Sequence, residues 1–136
     1  MRRVLVIAFA AWLVVPAAAS ACTVAARPAE ERVRDADRAV FAKVVRRTQV
    51  GVDDATGTVH FRYRLRVLET YKGTIRRRIT ILAHDNDGTC GFGPLERGKR
   101  LGLVLAGRRG PWRVGLGNLI TRRELRSVRA PKEERR

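Results

Sequence analysis

Few side chains in this sequence could form a reactive centre. There are two cysteines, Cys22 and Cys90, and two histidines, His60 and His84; Ser127 is the single serine beyond residue 22, and no two carboxylates form an obvious catalytic pair. A hydrolytic nucleophile needs a base and an orienting partner, and a metal needs several ligands at set spacings. The sequence offers neither pattern. His84-Asp85-Asn86-Asp87-Gly88 has the composition of a calcium loop, but placing its glycine at the turn position leaves Ala83 and Pro94 where carboxylates belong. A polar turn is expected there instead. This inventory argues against an enzyme, and no cofactor or resident metal is expected.

What remains is a pair of thiols and a large positive charge. The 136 residues include 29 Lys plus Arg against 13 Asp plus Glu, a formal charge of +16. Such charge attracts polyanions, because cations that neutralise anionic groups release counterions. Only four of the basic residues are lysines (Lys43, Lys72, Lys99 and Lys132), so a GC-rich coding bias explains the arginine excess as well as selection for anion contacts does.

Residues 1–21 read as a secretory signal: Arg2 and Arg3 form a basic start, residues 4–15 an apolar stretch ending before Pro16, and Ala19-Ser20-Ala21 a small-residue cleavage site. The protein is therefore expected to be exported, secreted or periplasmic, and to remain at about +14 once the two leading arginines are gone. The polyanions there are acidic glycans, envelope polymers and membrane surfaces, so a sequence-specific nucleic-acid partner is not expected. Cleavage leaves Cys22 at the terminus, either free or lipidated. Ala19 stands where a lipoprotein signal usually has leucine, which makes lipid anchoring the minority fate. Two cysteines in an exported chain favour a disulfide, and Cys22 with Cys90 is the one intramolecular pairing. Closing a loop of about 68 residues corresponds to about 4 kcal/mol of chain entropy. A lipid on Cys22 would prevent that bond.

The elements that must position these groups follow from periodicity. Residues 27–37 suggest a short helix with Pro28 near its first turn, and residues 39–45 a first strand, followed by a hairpin loop at 49–57. The clearest element is a strand at 59–67, where Val59, Phe61, Tyr63, Leu65 and Val67 alternate with His60, Arg62, Arg64 and Arg66. His60 thus falls on the solvent side. A turn at 70–73, a strand at 79–82, a loop at 84–98 carrying Cys90, and strands at 99–106 and 112–116 come next. Residues 119–128 suggest a helix with Thr121 as N-cap and Glu124 completing a capping box. The expected domain spans 22–128, with a basic tail at 129–136. The fold expected is mainly β: a five-stranded, OB-fold-like closed or partly closed barrel with one or two short helices. A monomer is expected.

Antiparallel pairing of the 59–67 strand with the next one gathers Arg62, Arg64, Arg66, Arg76 and Arg78 on one outer face. Phe61 and Tyr63 take the core parity, which leaves no rings for stacking on bases, so this face suits an acidic glycan or anionic lipid better than a single strand. Arg77 falls on the inward parity, as a strand end or bulge would allow.

Several segments in order carry a family resemblance: Cys22-Thr23-Val24, then Ala36-Asp37-Arg38-Ala39-Val40-Phe41-Ala42-Lys43-Val44, then Tyr63-Arg64-Leu65-Arg66-Val67 leading to Tyr71-Lys72-Gly73, and Thr89-Cys90-Gly91. Over residues 22–119 the chain resembles the netrin-like module, specifically the N-terminal OB-fold domain of tissue inhibitors of metalloproteinases. The resemblance implies a Cys22 to Cys90 disulfide and an inhibitory ridge of Cys22, Thr23 and Val24. The Cys22 α-amine and carbonyl would chelate a target protease's zinc, and Thr23 would enter its specificity pocket. Chelation requires a free amine, so lipidation of Cys22 predicts the opposite function. The chain departs from the family pattern at Val24, where a second cysteine is usual, and the family's second disulfide tether and C-terminal domain have no counterpart.

Overall fold

The computed structural model describes residues 27–85 and 92–128. The expected signal segment, Cys22, Thr23, Val24, Cys90 and the basic tail lie outside the described residues.

A helix, α1 (Ala29–Asp35), precedes two long strands, β1 (Arg38–Val52) and β2 (Val59–Lys72). Then come β3 (Arg78–Asp85), β4 (Arg100–Leu105), β5 (Trp112–Arg113), a single 3-10 turn at Leu116–Asn118, β6 (Leu119–Ile120) and α2 (Arg122–Val128). The strands form one sheet in the order β5-β3-β2-β1-β4-β6. The β3 to β5 pair is parallel and the other pairs are antiparallel.

The mainly β expectation holds; the count of five strands is corrected, and of the closed or partly closed barrel expected the closed form is ruled out. The sheet has six strands, is mixed, and curls into a half-barrel that does not close. Its two edge strands are only two residues long; β5 pairs with β3 and β6 with β4, so no ladder joins edge to edge. The curl has a local cause. Four register shifts interrupt the β1 to β2 ladder, with Val45 and Val50 as the extra residues on β1 and Leu68 and Tyr71 on β2. Bulges bend and twist the strand that carries them.

Two cores result. Val40, Ala42, Val44, Tyr63, Leu65, Ile81 and Leu103 fill the concave side. Tyr63 is fully buried; its hydroxyl accepts a hydrogen bond from the Leu95 amide at 3.0 Å, and burial raises its pKa above the ordinary phenol value. On the convex side, α1 and α2 cover Ala39, Phe41, Val104 and Ile120 with Val33 and Leu125. Gly102 permits that layer: a Cβ there would lie 2.2 Å from the Ile120 carbonyl oxygen and 2.9 Å from Leu125 Cδ1. The capping box is present at α2, where the Glu124 amide donates to Thr121 Oγ1 at 3.1 Å and the Thr121 amide donates to Glu124 Oε2 at 2.7 Å. At the other helix, the Lys72 ammonium donates to the carbonyls of Val33 and Arg34 and caps the last turn of α1.

Candidate functional site

The outward parity of β2 builds the site. His60, Arg62, Arg64 and Arg66 all point away from the concave core and are exposed. Register then places further cations beside them, because residues directly opposed across a ladder share a face. Arg66 opposes Lys43 on β1 and Arg78 on β3, and Lys43 opposes Arg100 on β4. Four neighbouring strands thus contribute one cation each to a single row, about 14 Å long at the usual strand spacing. The next row holds Arg46, Arg64 and Thr80, and the one after it Thr48, Arg62 and Leu82. Beyond these, His60 faces His84 with ring centroids 6.1 Å apart.

A groove of about 950 Å³ runs along the β3 side of this face. Arg62, Arg64 and Arg78 form one bank with Arg76, while Arg108 and Arg109 reach it from the loop before β5. That loop is held from both ends. The Gly107 amide donates to Asp37 Oδ2 at 2.6 Å, and the Trp112 indole N–H donates to the Gly107 carbonyl at 3.0 Å. Gly110 lies against the indole so closely that a Cβ would come within 2.5 Å of it. The segment Gly-Arg-Arg-Gly-Pro-Trp is therefore a tight loop wrapped on a buried tryptophan, with its two arginines left outward.

No carboxylate lines the groove, and none of its six arginines forms an ion pair among the described residues. A row of aligned like charges costs its ladder some tenths of a kcal/mol per opposed pair. An anion bridging two or three guanidinium groups removes that repulsion and gains bidentate hydrogen bonds. Trp112 reaches the groove but is only 8% exposed, and Tyr63 is buried, so base stacking has no platform here.

Of the residues expected on this face, Arg62, Arg64, Arg76 and Arg78 meet at the groove, while Arg66 sits in the row directly across from Arg78. His60 is exposed, as its parity predicts. Arg77 ends the β2 to β3 connection; its carbonyl accepts the Val67 amide at 2.8 Å and its side chain is exposed. Lys43, Arg46, Arg100, Arg108 and Arg109 join the face without having been foreseen. For the first three the missing information is register, which bulges scramble; for the last two it is the docking of the 107–111 loop beside β3. Among the described residues there is no group of three or more His, Cys, Asp or Glu able to hold a metal.

Fold and face together describe a half-barrel sheet whose convex side is part helix-covered and part bare and cationic. No protein-family model matches the chain, and no curated protein compared with it is similar in sequence.

Proposed function

We propose that this chain is an exported binding module that holds a linear polyanion, an acidic glycan above all, against its arginine groove. The observation that carries this reading is the gathering of six arginines on one groove with no carboxylate among the described residues that line it. A groove with cations on both banks suits a polymer chain better than a plane of headgroups. Among the described residues, the five large apolar side chains that stand exposed, Val45, Val50, Val52, Leu68 and Leu116, are not among its lining residues, which leaves it no apolar wedge for a bilayer.

The test is the affinity for a size-defined sulfated uronate oligosaccharide across a salt series, with phosphatidylglycerol vesicles in parallel. Affinity should fall linearly with the logarithm of salt, each engaged cation adding about one unit of slope. Tighter binding to vesicles would place the anionic groups on a lipid, and salt-insensitive or absent binding to both would refute the reading.

The zinc-directed ridge of Cys22, Thr23 and Val24 is the second reading, supported by the sequence resemblance and by a barrel-like sheet consistent with an OB-fold. It predicts inhibition of a zinc metalloprotease that survives salt and disappears when one alanine is added before Cys22.

A further inference from the structure

β1 is paired on both sides for only part of its length. Its ladder with β4 ends at Lys43, opposite Arg100, and the last bonds on that side run between Val44 and the backbone of Lys99 and Gly98, each 2.8 Å. β1 continues to Val52, paired with β2 alone. Among the described residues, nothing pairs with the other edge of residues 46–52.

An open strand edge presents unsatisfied N–H and C=O groups and is a template for another strand. Of the five large apolar side chains exposed among the described residues, three cluster along this edge: Val45, Val50 and Val52, at 43%, 45% and 49% exposure. The bulges at Val45 and Val50 bracket a regular stretch of four residues, Arg46, Arg47, Thr48 and Gln49, which stay in continuous register with Arg64, Tyr63, Arg62 and Phe61. That stretch is the length over which an added strand could pair without interruption. Its charge selects the partner. Arg46 lies on the convex face opposite Arg64, Arg47 lies over the Phe61 ring at 5.5 Å, and Arg97 shares a surface hollow with both, against one carboxylate, Glu96. A second copy of this chain would bring +16 toward +16, whereas an acidic strand would meet an arginine on either face.

We propose that residues 46–49 of β1 form a strand-addition site for an extended, acidic segment of a partner protein. Backbone hydrogen bonds would supply affinity, the flanking valines apolar contact, and Arg46 and Arg47 the preference for alternating acidic side chains. The site adjoins the cationic face at Arg46, but its backbone edge and Arg47 lie outside the groove, and it does not depend on the glycan reading.

The experiment uses the exported protein and a synthetic peptide of alternating Glu and Val, with two variants N-methylated on one strand edge or the other. Amide exchange at residues 46–49 should slow by about tenfold or more when the peptide binds. One N-methylated edge should abolish that protection and the other should leave it, since only one edge faces β1. Arg47→Glu with Arg97→Glu, neither of which lines the groove, should remove peptide binding and leave oligosaccharide binding at the groove in place. Protection centred on Arg62, Arg64 and Arg78, indifferent to N-methylation, would mean the peptide is held merely as a polyanion and would overturn the proposal. So would an absence of protection at 46–49, or protection there that appears without peptide as protein concentration rises, which would make a second copy the occupant.

Discussion

The convex side of the sheet carries arginine in two settings that differ in what stands opposite. Under the helices, the Arg122 guanidinium binds the Glu69 carboxylate and lies over the Phe41 ring at 4.9 Å, while the Tyr71 hydroxyl donates to the same carboxylate. The Arg32 guanidinium donates to the carbonyls of Gly117 and Leu119, fastening α1 to the segment that leads into α2. A few ångströms along the same strands, Arg66 faces Lys43 and Arg78, and Arg64 faces Arg46. Charge is used structurally in the first region and left uncompensated in the second. Codon bias can supply arginines, but by itself it does not explain a groove lined by six of them with no carboxylate among the described residues.

The contrast breaks most sharply under charge reversal. An arginine at an anionic surface contributes about 1 kcal/mol, so converting both Arg64 and Arg78 to Glu should cost about 4 kcal/mol of polyanion binding, nearly a thousandfold at low salt. Thermal stability should not fall, because neither arginine has an ion-pair partner among the described residues. Titration with the sulfated oligosaccharide beside a melting curve checks both halves. Retained affinity would show that the groove is only a solvated face.

The reciprocal change strikes the helix-covered region. Gly102→Ala places a methyl group against the Ile120 carbonyl and Leu125, so β6 and α2 must shift, at about 1–3 kcal/mol of stability. Oligosaccharide affinity, measured well below the new melting temperature, should be unchanged. A milder probe of the same region is Thr121→Ala, which removes the hydroxyl that caps α2 and should cost about 1 kcal/mol in chemical denaturation.

How much of this was legible in the sequence depends on bulges. The alternation from Val59 to Val67 identifies β2 and its exposed arginines, and the Thr121 and Glu124 pair marks the cap of α2, although the expected helix begins two residues before it. Both strands run past their expected ends: alternation fails at Leu68, a residue the ladder skips, and the β-rich run ends at Val45, another skipped residue, before the glycines and aspartates that suggest a loop from 49. A period-two pattern cannot continue through an extra residue, so the reading stopped where the strand merely bulged. β6 falls inside the helix expected over 119–128, because two residues carry no period of their own; they are a strand through pairing with Gly102 and Leu103. The groove was half legible. Arg62, Arg64, Arg76 and Arg78 follow from parity and a hairpin, whereas Arg108 and Arg109 depend on a loop docking onto a strand distant in sequence.

Acid separates the two regions as well. The Glu69 carboxyl is held below the ordinary glutamate range, first by the Tyr71 hydroxyl and then by Arg122. A carboxyl depressed in the folded state adds stability above its unfolded pKa, and that contribution is lost as pH falls through the folded value. Glu69→Gln should therefore melt below the unmodified protein at neutral pH, with the gap closing as the solution is acidified below the glutamate range. The effect is modest, because the pair is partly open to solvent. A gap that stays constant with pH would mean the ion pair contributes through packing alone.

The smallest expected effect on stability is the most diagnostic, because its sign is opposite to that of most substitutions. Arg66 has Lys43 on one side and Arg78 on the other, so Arg66→Glu replaces two cross-strand repulsions with two attractions. Opposed pairs of this kind are worth some tenths of a kcal/mol each, and the variant should melt slightly above the original protein. It should also bind the oligosaccharide less tightly, by about 2 kcal/mol if Arg66 contributes like its neighbours. A gain in stability joined to a loss in binding is what a face kept cationic for a ligand predicts, since its like charges are tolerated at a cost to the sheet. A face cationic by composition alone would show the first change without the second.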